Sequence, residues 1–165
     1  MNETLFLVCP SDCLEARINK QYRTVNYFYT SLGNSFNIDQ ESLKNIQELI
    51  TNHSIRNIYF VLSSDNQFIL DALEGHFIFK DKRLTSFYEE ICEHKHLSNK
   101  TWITDNNEYL IISHFLHKNI EQLDLKLHSI TTDHLTIKGL IFDSLTNNFL
   151  PIYSNLTMIN KHQLN

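Results

Sequence analysis

Glycine and proline are almost missing from this chain, with 3 and 2 among 165 residues where average usage gives roughly 12 and 8. That scarcity excludes collagen-like, linker-rich and Pro/Gly-rich disordered classes. Met1 to Leu7 has no basic start followed by an apolar run and a small-residue cleavage site, so no export leader is expected. No run reaches the roughly 18 uncharged apolar residues of a membrane helix. Positive charge is not in excess either, since 14 Lys and Arg face 19 Asp and Glu for a net charge of -5. Without clustered basic residues, neither nucleic acid nor an anionic membrane is an expected partner. Three cysteines, an odd number without an export signal, read as thiols of a reducing cytoplasm. In so Asn-rich a chain, the Asn-x-Ser/Thr matches at Asn2, Asn52, Asn99 and Asn155 read as chance.

What is present is core material, 42% hydrophobic and 12% aromatic, enough for one domain over residues 1–165. Leu5–Val8, Val25–Tyr29, Ile58–Leu62 and Leu135–Phe142 are short runs rich in β-branched and aromatic residues, the signature of buried strands. Between them, Ile38, Leu43, Ile46, Leu49 and Ile50 recur at helical spacing behind Asn37 or Asp39 as N-cap. Leu84 to Ile91 marks a second helix and Leu110 to Leu125 a longer one, while Gly75 to Thr104 as a whole is charged and weakly periodic. The polar turn between Ile137–Phe142 and Phe149–Tyr153 predicts a hairpin whose last strand lies antiparallel at an edge, where Pro151 is tolerated. The expected fold is α/β, with a central, mostly parallel sheet of about four strands, flanking helices and a C-terminal antiparallel edge strand.

Ligands of an open parallel sheet bind beyond the carboxyl ends of its strands. Three polar loops fall there: Cys9-Pro10-Ser11-Asp12-Cys13, Ser31-Leu32-Gly33-Asn34 and Ser63-Ser64-Asp65-Asn66. They offer a cleft of Cys9, Ser11, Asp12, Gly33, Asn34, Ser63, Ser64 and Asn66, near helix N-termini that favour small anions. Ser, Asp and Asn are also the ordinary caps of such loops.

The run Leu135-Thr136-Ile137-Lys138-Gly139-Leu140-Ile141-Phe142-Asp143, followed by Asn148-Phe149-Leu150-Pro151-Ile152-Tyr153, resembles the terminal strand pair of β-class carbonic anhydrases. Ser42 to Leu62 resembles that family's helix and strand leading into its Gly-His-x-x-Cys-Gly motif. Ser31-Leu32-Gly33-Asn34 resembles its Asn-Ala-Gly-Asn loop, and Leu7-Val8-Cys9 its strand into Cys-x-Asp-x-Arg. The matches run in order from Thr4 to Tyr153.

The resemblance implies a catalytic zinc held by two cysteines and a histidine, a set that suits its tetrahedral preference. Cys9 falls on the first cysteine, but Ser63 stands at the histidine and Asn66 at the second cysteine. A hydroxyl and a carboxamide are poor zinc ligands beside imidazole and thiolate. The family's aspartate and arginine fall on Ser11 and Cys13, with Asp12 one place out of register. Without zinc there is no water polarised near neutral pH. The resemblance therefore implies a cytoplasmic protein that has lost its metal site, has no cofactor, pairs with a second copy and binds a small anion or a protein partner. The alternative is a rebuilt carbonic anhydrase, lyase or hydrolase working through Cys9 with Asp12 or Asp65 as acid or base.

Three further clusters are read as structural. Cys9 and Cys13 are spaced for a metal or a disulfide, but Cys13 can pack as a small apolar residue on the following helix. Cys92 and His96 share a helix face at i and i+4, in a setting that reads as a solvated helix end. His114 and His117 read as packed or surface residues. No Gly-x-Ser-x-Gly, Walker or G-x-G-x-x-G motif occurs.

Overall fold

Every apolar run read as a strand is one. In a computed structural model that describes residues 3–36, 39–75, 82–101, 107–128 and 135–153, the runs form β1 (Glu3–Val8), β2 (Val25–Thr30), β3 (Asn57–Ser63) and β4 (Thr136–Asp143), with β5 (Asn148–Pro151) returning from the last turn. Their order across the sheet is β2-β1-β3-β4-β5. The first four are parallel, and β5 pairs antiparallel to β4, with Phe142 opposite Phe149 and Leu140 opposite Pro151.

Alternation of side chains gives the sheet two different faces. Leu5 and Leu7 of β1, Ile58, Phe60 and Leu62 of β3 and Ile141 of β4 point to one side. Against them pack α2 (Gln40–His53), α3 (Gln67–Glu74), α4 (Lys82–Thr101) and α5 (Asn107–His128). Helix α2 begins at Asp39, whose side chain accepts the Ser42 N–H at 2.8 Å, and it buries Ile46 and Ile50; Asn37, the other proposed cap, lies outside the described residues. Phe6 and Val8, Val61, and Leu140 and Phe142 point to the other side, where α1 (Glu15–Gln21) contributes Ile18 and the residue before it, Leu14.

Helices α1 and α3 escape a reading based on periodicity because seven or eight residues hold barely two turns. The signals for α3 are its caps, Asn66 accepting the Ile69 N–H at 3.1 Å and Gly75 in the left-handed conformation after the last turn. Helix α4 continues to Thr101, so Cys92 lies within it rather than at a solvated end. The side chain of His96 lies outside the described residues, while Cys92 Sγ donates to the Ala72 carbonyl at 3.4 Å.

Candidate functional site

Strand order reverses direction between β1 and β3: the chain leaves β1 toward β2 and leaves β3 toward β4. The loops after these two strands therefore diverge and open a crevice at their carboxyl ends. After β1, the chain turns through a short 3-10 segment, Pro10–Asp12, with Pro10 at its first position, where the missing N–H costs nothing. After β2 a second 3-10 turn, Leu32–Asn34, puts Gly33 at φ +60°, and an added Cβ there would lie 3.0 Å from Phe87 Cζ.

These turns bring the expected loop residues together. Cys9 is fully buried; its Sγ accepts the Gly33 N–H at 3.1 Å and hydrogen-bonds Ser11 Oγ at 3.0 Å. Asn34, also fully buried, donates through Nδ2 to the carbonyls of Leu7 at 3.1 Å and Val61 at 3.0 Å, tying the ends of β1 and β3. Its own carbonyl accepts from Asn119 of α5 at 3.3 Å, a residue that helical periodicity alone does not single out.

Asp12 reaches across the crevice. Its Oδ2 accepts the Ser63 N–H at 2.9 Å and its Oδ1 accepts Nδ2 of Asn66 at 2.6 Å, while Asn66 Oδ1 caps α3. Ser63 Oγ donates to Asp65. Burial pushes the Asp12 carboxyl above the ordinary 3.8, and repulsion from Asp65 adds to it; the Ser63 N–H and the Asn66 amide, with Ser11, pull the other way without prevailing. Ser64 faces the hairpin instead, its N–H donating to the Phe142 carbonyl at 2.8 Å and its Oγ accepting the Ser144 N–H at 3.4 Å.

The donor set does not suit zinc. Of the three positions aligned with zinc ligands, Cys9 is held by Gly33 and Ser11, the Ser63 hydroxyl is committed to Asp65, and the Asn66 amide is divided between Asp12 and the α3 cap. Among the described residues no group of three His, Cys, Asp or Glu side chains could hold a metal ion. Cys13 does not pack on α1. It is exposed in the left-handed conformation, where its Sγ contacts the Pro10 carbonyl at 3.6 Å, and both it and Cys9 are free thiols. Of His114 and His117 on α5, His117 pairs with Glu121 at 3.1 Å.

No protein-family model matches the sequence, and no curated protein matches it. Solved structures do. The β-carbonic anhydrase CafD of Aspergillus fumigatus superposes with a TM-score of 0.74 at 15% identity, over 93% of this chain and 90% of that one. A tetrameric β-carbonic anhydrase of Sordaria macrospora gives 0.71 at 16%, over 92% and 80%. The Coccomyxa enzyme in complex with acetazolamide gives 0.68 at 10%, over 92% and 72%. The chain has the β-carbonic anhydrase fold. Among the described residues no helix is long and apolar enough to cross a membrane.

Proposed function

We propose that this chain is a zinc-free, non-catalytic protein on the β-carbonic anhydrase scaffold, working as a homodimer. The observation that carries this reading is the Asp12 carboxylate, held by the Ser63 N–H and the Asn66 amide. The two positions aligned with the missing histidine and cysteine ligands are thus joined through a side chain rather than a metal. The decisive experiment is metal analysis of the purified protein together with CO2 hydration. The reading expects substoichiometric zinc and no activity above background; stoichiometric zinc with activity lost in Cys9→Ala would overturn it.

Pairing is supported by the edge strand β2, whose outer hydrogen-bonding row faces no described strand. Tyr27, Phe28 and Tyr29 are only half-buried on it, and Val25 is 40% exposed. An uncapped aromatic edge of six residues is a template for a second strand. Light scattering should give a dimer mass, and Val25→Lys should shift it to the monomer.

The alternative, a rebuilt enzyme using Cys9 with Asp12 or Asp65, draws on the raised Asp12 carboxyl. It predicts that Cys9 alkylates readily, which its complete burial opposes. Two carboxylates at the strand ends also repel an anion, so the anion-binding part of the reading needs another surface.

A further inference from the structure

We infer that a cleft between α1 and the β4–β5 hairpin binds a small organic anion carrying a flat apolar ring, such as an aryl phosphate or aryl carboxylate. The cleft has a volume of about 410 Å³ and is lined by Arg17, Lys20, Gln21, Phe142, Asn147 and Phe149. That volume lies within the usual range of small-molecule sites, roughly 300–1,000 Å³.

Its chemistry is divided between two walls. Arg17 and Lys20 are three residues apart on α1 and so share a face. The Arg17 guanidinium lies over the Phe142 ring, 5.2 Å from its centroid, and its Nε donates to Asn147 Oδ1 at 3.3 Å. Two contacts on one side and end thus orient the fork before any ligand arrives, which lowers the entropy lost on binding. No ion pair engages Lys20 among the described residues, and none of the lining residues is acidic, although the chain carries a net charge of -5. The second wall is aromatic: Phe142 and Phe149 pack with ring centroids 5.0 Å apart, and Phe149 is half-buried, leaving part of its ring to the cleft. A phosphate or carboxylate head meets the two cations, and an attached ring meets Phe149.

The location matters as well. The Phe142 carbonyl accepts the Ser64 N–H at 2.8 Å, so the cleft adjoins the Asp12 crevice without sharing its carboxylates. It sits by β4 and β5, at the opposite side of the sheet from β2. Pairing of two copies along β2 leaves it open, and its failure as a site would leave the zinc-free reading untouched.

The test is titration of the full chain with phenyl phosphate, with inorganic phosphate and phenol as the two half-ligands, followed by backbone amide NMR. Phenyl phosphate should saturate, with the largest shifts at Arg17, Lys20, Asn147 and Phe149. Each half-ligand should bind at least about tenfold more weakly, since each keeps one wall's contacts only. Lys20→Glu, at an exposed position, should weaken phenyl phosphate by about tenfold or more through charge reversal, and Phe149→Leu should weaken phenyl phosphate while leaving inorganic phosphate unchanged. Non-saturating shifts, shifts centred on β2, or unchanged binding in Lys20→Glu would overturn the inference. So would inorganic phosphate binding as tightly as the aryl ester.

Discussion

The two faces of the sheet are built to different depths. On one, four helices bury Leu5, Leu7, Ile58, Phe60 and Leu62 completely. On the other, α1 is the one helix among the described residues that packs over Phe6, Val8 and Val61, and Tyr22, Phe28, Tyr59 and Phe149 are only partly buried there. The thick face holds most of the fully buried side chains, although Tyr27 and Tyr29 of β2 are only partly buried against it. The proposed aryl-anion cleft lies on the thin side, whereas the β2 edge proposed for pairing carries Phe28 on that face and Tyr27 and Tyr29 on the thick one. Asp12 connects the two layers, since it follows β1 on the way to α1 yet holds the loop that starts α3.

The sharpest challenge to this contrast is a pair of adjacent truncations on β3. Phe60→Ala, fully buried on the thick face, should cost about 4 kcal/mol in urea unfolding, as large core deletions do. Tyr59→Ala, half-buried on the thin face, should cost about 2 kcal/mol, in proportion to the smaller area removed from water. Equal losses would mean that the thin face is as fully packed as the other.

Asp12→Ala comes next, because it leaves the Ser63 N–H and the Asn66 amide without their acceptor in a crevice where both residues are buried; an expected loss of about 2 kcal/mol follows from stranded buried donors. If the loss were negligible, the two layers would not depend on that bridge. A subtler outcome concerns pH. Because burial raises the Asp12 carboxyl above 3.8 in the folded state, the folded chain holds this proton more tightly than the unfolded one. Its contribution to stability is complete below 3.8 and is lost as pH rises through the folded-state value. Asp12→Asn should therefore remove a downward slope of stability with rising pH, measured by denaturation at a series of pH values.

The smallest effect is expected at the hairpin. Asp143 accepts the Thr146 hydroxyl at 2.7 Å and the Leu145 N–H at 3.0 Å, and these bonds hold its carboxyl below 3.8. Its contribution is present above 3.8 and is lost as pH falls through the lowered value. Asp143→Ala should lower the melting temperature slightly at neutral pH and not at all in strong acid.

The strands were legible in the sequence because each is a short run rich in β-branched and aromatic residues, which mark a strand whether it is buried, as β1 is from Thr4 to Val8, or a half-buried edge, as β2 is. The hairpin was legible from its polar turn, and the Asp39 cap from its place before an apolar period. The site was legible as a set of loops, since Cys9, Asp12, Gly33, Asn34, Ser63 and Asn66 all lie where parallel strands end. Their connections were not. Asp12 and Ser63 are 51 residues apart and Arg17 and Asn147 are 130 apart, and no local pattern encodes such a pairing.

Composition and periodicity, then, determined that this chain forms a mostly parallel sheet with helices, and the family resemblance implied that two of three zinc-ligand positions carry the wrong chemistry. Only the tertiary structure decided how Cys9, Ser63 and Asn66 are held, which face carries fewer helices among the described residues, and where two cations meet two aromatic rings. The physical reason is that burial patterns are properties of single elements, whereas a carboxylate between two loops or a cleft between a helix and a hairpin exists only once distant elements have packed.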